Sequence, residues 1–125
     1  MMEHLQIARS KDTLGVDFNA ETGVLALEGS SYPENPIDFF DRLTDWFTRY
    51  TQNIHGSLTV NVKIDYLNTS SSKCLLDFLE MLDEYHQSGG AITLNWYYEE
   101  DDEDMQETGE ELCEDLELPC TIIPV

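Results

Sequence analysis

The most constraining stretch of the sequence runs from Leu58 to Tyr98. Leu58, Val60, Val62, Ile64 and Tyr66 alternate with Thr59, Asn61, Lys63 and Asp65, the period of a strand with one apolar face. Leu75, Leu76, Phe78, Leu79, Leu82 and Tyr85 then recur at helical spacing until Gly89 and Gly90 stop the pattern. A second alternation follows, with Ile92, Leu94, Trp96 and Tyr98 on one side and Thr93, Asn95 and Tyr97 on the other. Two strands bracketing one helix predict a βαβ unit with a right-handed crossover, and the polar second face predicts that helices cover mainly one side of the sheet. Between the first strand and the helix lies a hydroxyl-rich junction, Tyr66 to Lys73. Unbonded N–H groups gather at a helix start, so a hydroxyl there is either a cap or an exposed group whose phosphate those N–H groups would stabilise. The spacing alone leaves both open.

The flanking segments extend this unit. Leu5 to Ala8 reads as a short strand, and Leu14, Val16 and Phe18 as another, joined through a turn at Asn19 to Gly23 to a partner strand at Val24 to Leu27. A helix is expected to begin with Asn35 at the N-cap and Pro36 at the first helical position. Its apolar stripe holds Phe39, Phe40, Leu43, Trp46, Phe47 and Tyr50. A third helix is expected from about Glu103 to Glu117, with Met105, Leu112, Cys113 and Leu116 facing inward, and Thr121 to Ile123 as a last edge strand after Pro119. The fold class is therefore α/β: a mixed sheet with three helices, built from 125 residues as one domain, residues 1–125.

Composition narrows the function. A formal net charge of −20 argues against nucleic acid or an anionic membrane as partner, because phosphate binding draws on clustered Lys and Arg. No apolar run approaches the roughly 20 residues of a membrane helix and no secretory signal opens the chain, so a cytoplasmic protein is expected. Twelve acidic residues lie between Glu99 and Glu117. They read as a solvated face, or as a steering surface for a basic partner centred on Glu100, Asp101, Asp102 and Asp104. The three cysteines, Cys74, Cys113 and Cys120, show no C-x-x-C spacing and are expected as buried free thiols. The acidic loop lacks the calcium-loop pattern, and the chain has no phosphate-binding loop, nucleophile elbow or dinucleotide fingerprint. His4, His55 and His86 neighbour no nucleophile. Neither a metal, a cofactor nor an enzymatic activity is expected.

The junction Leu67-Asn68-Thr69-Ser70-Ser71-Ser72-Lys73 stands in company with Ser31-Tyr32-Pro33-Glu34-Asn35, with Trp46 to Tyr50, and with Asn95-Trp96-Tyr97-Tyr98 ahead of the acidic loop. In this set and order, from about Leu14 to Pro119, the sequence resembles the SiaC family of regulatory phosphoproteins. The resemblance implies a STAS-like fold, as in anti-sigma-factor antagonists, and a partner-switch circuit. A cognate serine/threonine kinase phosphorylates one threonine, a PP2C-type phosphatase removes the phosphate, and the unphosphorylated form binds and activates a diguanylate cyclase in cyclic di-GMP and biofilm signalling. The family's Asn-Thr-Ser-Ser motif places that threonine at Thr69, with Asn68, Ser70, Ser71, Ser72 and Lys73 around it. Lys73, at i+4, falls on the same helix face as Thr69. The rival readings are an acidic protein-binding module without a covalent switch and a small metal-dependent enzyme using the acidic loop.

Overall fold

The computed structural model describes residues 2–125. The chain runs β1 (Leu5–Ile7), β2 (Gly15–Asn19), β3 (Val24–Ser31), α1 (Ile37–Asn53), β4 (Leu58–Leu67), α2 (Thr69–Gln87), β5 (Ile92–Tyr98), α3 (Glu103–Asp115) and β6 (Cys120–Pro124). The six strands form one sheet in sequence order. The first three are antiparallel, whereas β3, β4, β5 and β6 run parallel. The mixed sheet expected from the sequence is present. So is the β4–α2–β5 unit, and β3–α1–β4 is a second unit of the same kind.

Register explains why one face holds the core. Phe18, Leu25, Val60 and Leu94 are aligned across β2 to β5, and Val16, Leu27, Val62 and Trp96 form the next inward row. All eight are buried. The intervening row, Asp17, Ala26, Asn61 and Asn95, points to the other side, where Asn95 Nδ2 donates to Asn61 Oδ1 at 3.0 Å. Because side chains alternate with period two, one register carries the buried apolar residues of these strands to the same side. Helices α1 and α2 meet that face through a ring cluster: Phe18 lies 5.3 Å from Trp46 and 5.9 Å from Phe78. Helix α3 joins them over Trp96, whose Nε1 donates to the Met105 carbonyl at 3.0 Å. Gly109 makes this approach feasible, since a Cβ there would sit 2.3 Å from Trp96 Cδ1.

Several boundaries and one covalent feature differ from the sequence reading. Helix α1 starts one residue later than expected, with Pro36 at the cap position. Asn35 still contributes, its Oδ1 accepting from the Ile37 N–H at 3.1 Å. Helix α3 ends at Asp115, and Leu116 is buried in extended backbone beyond it. The reason is Asp83, a buried α2 carboxylate whose Oδ1 accepts from the N–H groups of both Glu117 and Leu118 at 2.9 Å. It pulls the chain out of the helix toward β6. Tyr66, expected on the buried side of its strand, is 54% exposed. The expected free thiols at Cys113 and Cys120 are instead joined as a disulfide with Cα atoms 5.6 Å apart, within the usual bridging range. The turn after α3 folds back on itself and brings together two cysteines that sequence spacing alone does not pair. Cys74 is free, half-buried, and its thiol is pushed up chiefly by burial and then by Asp77.

Two outcomes follow from this packing. Trp46 is fully buried, stacks on Tyr50 and donates from Nε1 to the Glu3 carbonyl at 2.9 Å. Trp46→Ala therefore lowers stability by about 3–5 kcal/mol, read as a shift of the urea midpoint. Ellman titration of the native oxidised protein finds only the Cys74 thiol, and the reaction accelerates as pH rises past the ordinary thiol range, because a raised pKa leaves little thiolate at neutral pH. Reduction in denaturant exposes all three cysteines.

Candidate functional site

Parallel β3, β4 and β5 end at a common edge, and each is followed there by the start of a helix. In open α/β sheets the crevice outside the carboxyl ends of parallel strands is the usual place for a ligand or partner, because helix N-termini and loops converge there. Strand β4 is central, so the junction to α2 occupies the middle of that edge.

The cap of α2 belongs to Asn68. Its Oδ1 accepts from the Ser71 N–H at 2.8 Å, its carbonyl accepts from the Ser72 N–H at 2.9 Å, and its Nδ2 donates to the Pro33 carbonyl at 3.2 Å. The Asn68 N–H in turn donates to the Ser31 carbonyl at 3.0 Å, so one residue ties the β3 end, the loop before α1 and the start of α2 together. Ser71 is fully buried, and its hydroxyl shares a 2.7 Å hydrogen bond with that of buried Ser31. The sequence-predicted residues thus divide. Asn68 and Ser71 are structural anchors, while Thr69, Ser70, Ser72 and Lys73 are exposed. Thr69 is the first residue of α2 and is not its cap. Among the described residues its hydroxyl has no hydrogen-bond partner, and the N–H groups of Thr69 and Ser70 stay free because Asn68 takes only the next two. The geometry leaves an accessible hydroxyl at the positive end of a nineteen-residue helix, with a lysine one turn along.

The acidic segment reaches the same edge. Asp102 is the N-cap of α3, its Oδ1 accepting from the Met105 N–H at 3.1 Å. The Glu100 N–H donates to the Val125 carbonyl at 3.0 Å, and Glu99 pairs with Lys63 Nζ at 2.9 Å, which raises the Lys63 pKa. Glu100, Asp101 and Asp104 are exposed carboxylates. Of the four residues expected to steer a partner, Asp102 thus also has a structural task.

On the uncovered sheet face a depression of about 460 Å³ is lined by Arg9, Asp17, Glu28, Asn61, Lys63 and Tyr97, among others. Its two cations are already engaged: Arg9 Nη2 lies 2.8 Å from Asp65, and Lys63 contacts Asp65 and Glu99. Sequence reasoning did not find the Arg9–Asp65 pair or the Asp83 clamp. Both join residues far apart in sequence, and no local periodicity marks such partners.

Asn68→Ala removes a cap and the link to Pro33, and is expected to destabilise the protein by about 0.5–2 kcal/mol. Thr69→Ala, at an exposed position without a partner, stays within about 0.5 kcal/mol of wild type. Urea unfolding of the two variants side by side checks the division of roles.

Comparison with known proteins places this geometry. An uncharacterized protein of Pseudomonas aeruginosa (strain UCBPP-PA14) is 35% identical over 121 residues, which span 97% of this chain and 96% of that one. The crystal structure of apo-SiaC from Pseudomonas aeruginosa superposes with a TM-score of 0.90 at 34% identity, covering 98% of this chain and 99% of the other. A further match, TM-score 0.92 at 34% identity over 97% of this chain and 99% of that chain, comes from the crystal structure of the diguanylate cyclase SiaD in complex with its activator SiaC from the same organism. A family profile described as SiaC family regulatory phosphoprotein matches residues 7–125, and the chain belongs to that family.

Proposed function

We propose that this protein is a non-enzymatic, cytoplasmic activator of a diguanylate cyclase, switched by reversible phosphorylation of Thr69. The observation that carries the reading is the division of labour at the start of α2. Asn68 supplies the cap, which leaves the Thr69 hydroxyl exposed and unengaged beside open N–H groups. A structural cap would have to be buried in its own hydrogen bonds; this hydroxyl is not. The similar SiaC of Pseudomonas aeruginosa, an activator found in complex with a diguanylate cyclase, supports the choice of output partner.

In the switch, a serine/threonine kinase transfers the γ-phosphoryl group of ATP to Thr69 Oγ1. The new O–P bond replaces the one to ADP, and the hydroxyl proton leaves to a base of the kinase. A PP2C-type phosphatase returns the hydroxyl by hydrolysis. The phosphate adds about −1.5 to −2 charges where helix N–H groups and Lys73 offset them, worth about 0.3–1 kcal/mol at an exposed helix start. Stripping water from the same unpaired charge inside a partner interface costs several kcal/mol. Phosphorylation therefore alters binding far more than folding. The buried Ser31–Ser71 bond and the Asn68 ties hold the helix start in place in both states. The exposed carboxylates of Glu100, Asp101 and Asp104, on the same edge, draw a partner with a basic surface toward it.

The test is a titration of the diguanylate cyclase of the same host with unmodified protein, kinase-treated protein, Thr69→Ala and Thr69→Asp, with the phosphate localised by mass spectrometry. Phosphate on Thr69, tight binding by the unmodified protein and Thr69→Ala, and loss of binding on phosphorylation are the expected results. Thr69→Asp weakens binding partially, since one added charge is a poor copy of a dianion. Phosphate found on Ser70 or Ser72 defeats the site assignment. Equal affinity of the phosphorylated and unmodified forms defeats the switch.

A further inference from the structure

Helix α3 is held unevenly along its length. Its start is fixed twice, by the Asp102 cap and by the bond from Trp96 Nε1 to the Met105 carbonyl. Beyond Gly109, which lies against Trp96, the packing thins: Leu112 and Cys113 are half-buried, while Glu110, Glu111, Glu114 and Asp115 are exposed. Among the described residues no hydrogen bond or ion pair joins residues 110–115 to another element. The local chemistry also opposes a helix there. Glu110 with Glu114, and Glu111 with Asp115, are like-charged pairs at i, i+4. The carboxylates of the last turn meet the negative end of the helix dipole, and no basic residue stands in that turn. Apart from the contact of Leu112 with the core, what ties this end to the rest of the protein is the Cys113–Cys120 bond.

The other side of the bridge is firmly placed. Cys120 opens β6 opposite Leu94 of β5, and the Leu94 N–H donates to the Pro119 carbonyl at 2.9 Å. Leu116 and Leu118 are buried, and Asp83 accepts from the N–H groups of Glu117 and Leu118. None of these contacts passes through a sulfur. Opening the bridge therefore leaves β6 and the turn before it in place and frees only the last turns of α3. Both cysteines are half-buried, which leaves the bond open to an attacking thiolate while the protein stays folded.

We propose that Cys113 and Cys120 form a reversible thiol–disulfide exchange site that pins or releases the acidic C-terminal half of α3. Its reductant is a dithiol. One thiolate of the dithiol attacks a bridge sulfur, the S–S bond breaks, and a mixed disulfide forms while the other cysteine leaves as thiolate and takes up a proton. The second thiol of the dithiol, losing its proton, attacks the reductant's sulfur in the mixed disulfide and releases the second cysteine. Two electrons and two protons have then passed to the protein, and the reductant has closed to a cyclic disulfide. A small disulfide compound reverses the steps. In the cytoplasmic setting proposed above, a disulfide is as a rule transient or redox-sensing instead of a permanent brace. The inference uses that placement and is independent of Thr69 and of the cyclase. On release, Glu110, Glu111, Glu114 and Asp115 lose their fixed positions, so the site controls how the acidic surface is presented.

The experiment follows thiol alkylation and amide hydrogen exchange of the folded full chain in three states: oxidised, treated with dithiothreitol, and reoxidised with hydroxyethyl disulfide. The double variant Cys113→Ser/Cys120→Ser is measured beside them. Dithiothreitol without denaturant is expected to add two alkylated thiols to the one at Cys74. Exchange at the amides of residues 111–115 then becomes at least about tenfold faster, while that of α2 and β5 stays within about twofold. Reoxidation restores the slow exchange. The double variant exchanges fast whatever reagent is present; should it not fold, reduced wild type supplies the same measurement without a substitution. A bridge that dithiothreitol opens only in urea is a buried structural brace and overturns the proposal. So does exchange at residues 111–115 that is unchanged on reduction, or a rise spread evenly over the chain. In acid-quenched cells of the host, alkylation is expected to find mainly thiols before a pulse of diamide and the bridge after it. A pair that stays in one form throughout overturns the exchange role.

Discussion

One constraint governs this architecture: the sheet has a single apolar face, so every helix must pack on that side. Leu58, Val60, Val62 and Ile64 on β4, with Ile92, Leu94 and Trp96 on β5, leave no second buried surface for a helix to cover. Helices α1 and α2 therefore set Trp46 and Phe78 against Phe18 of the sheet and α3 covers Trp96, while Asn61, Asn95 and Lys63 remain on the uncovered face. Since β3, β4, β5 and β6 are parallel, each connecting helix must return the chain to the same end of the sheet before the next strand begins. Three helix starts are gathered along one edge as a consequence, and the chemistry of the molecule is concentrated there.

At that edge, the side chains that hold the turn and those left open to solvent belong to neighbouring residues. The side chains of Asn68, Ser71 and Ser31 are consumed in hydrogen bonds that hold the strand-to-helix turn. Those of Thr69, Ser70 and Lys73 point to solvent. A modification chemistry placed on an anchoring hydroxyl such as that of Ser71 would have to break a buried bond first, whereas one placed on Thr69 meets only water and free N–H groups. In the proposed switch, this separation is what would let a large change in charge act on partners without acting on the core. The disulfide between Cys113 and Cys120 and the Asp83 clamp secure the opposite flank, where α3 hands the chain to the edge strand β6.

Much of this was legible in the sequence. The alternation of Leu58 to Ile64 and of Ile92 to Tyr98, the helical stripes through Trp46 and Leu79, and the stops at Gly89, Gly90 and Pro119 are local signals, set by backbone geometry of period two or 3.6. They determined which elements form, that the sheet is mixed, that helices lie mainly on one side, and that a hydroxyl-rich helix start follows the central strand. The ordered motifs around Asn68 and Thr69 also carried the family. Tertiary structure decided what depends on residues meeting across the chain: that Asn68 caps α2, that Ser71 is buried against Ser31, that Asp83 ends α3 early, and that Cys113 meets Cys120. It also placed Tyr66 beyond the core and beside Tyr32, because a register shift in a neighbouring strand and the reach of packed helices have no trace in local periodicity. Period and composition act over a few residues, whereas hydrogen-bond partners and burial at an edge are set by distances that only the folded chain defines.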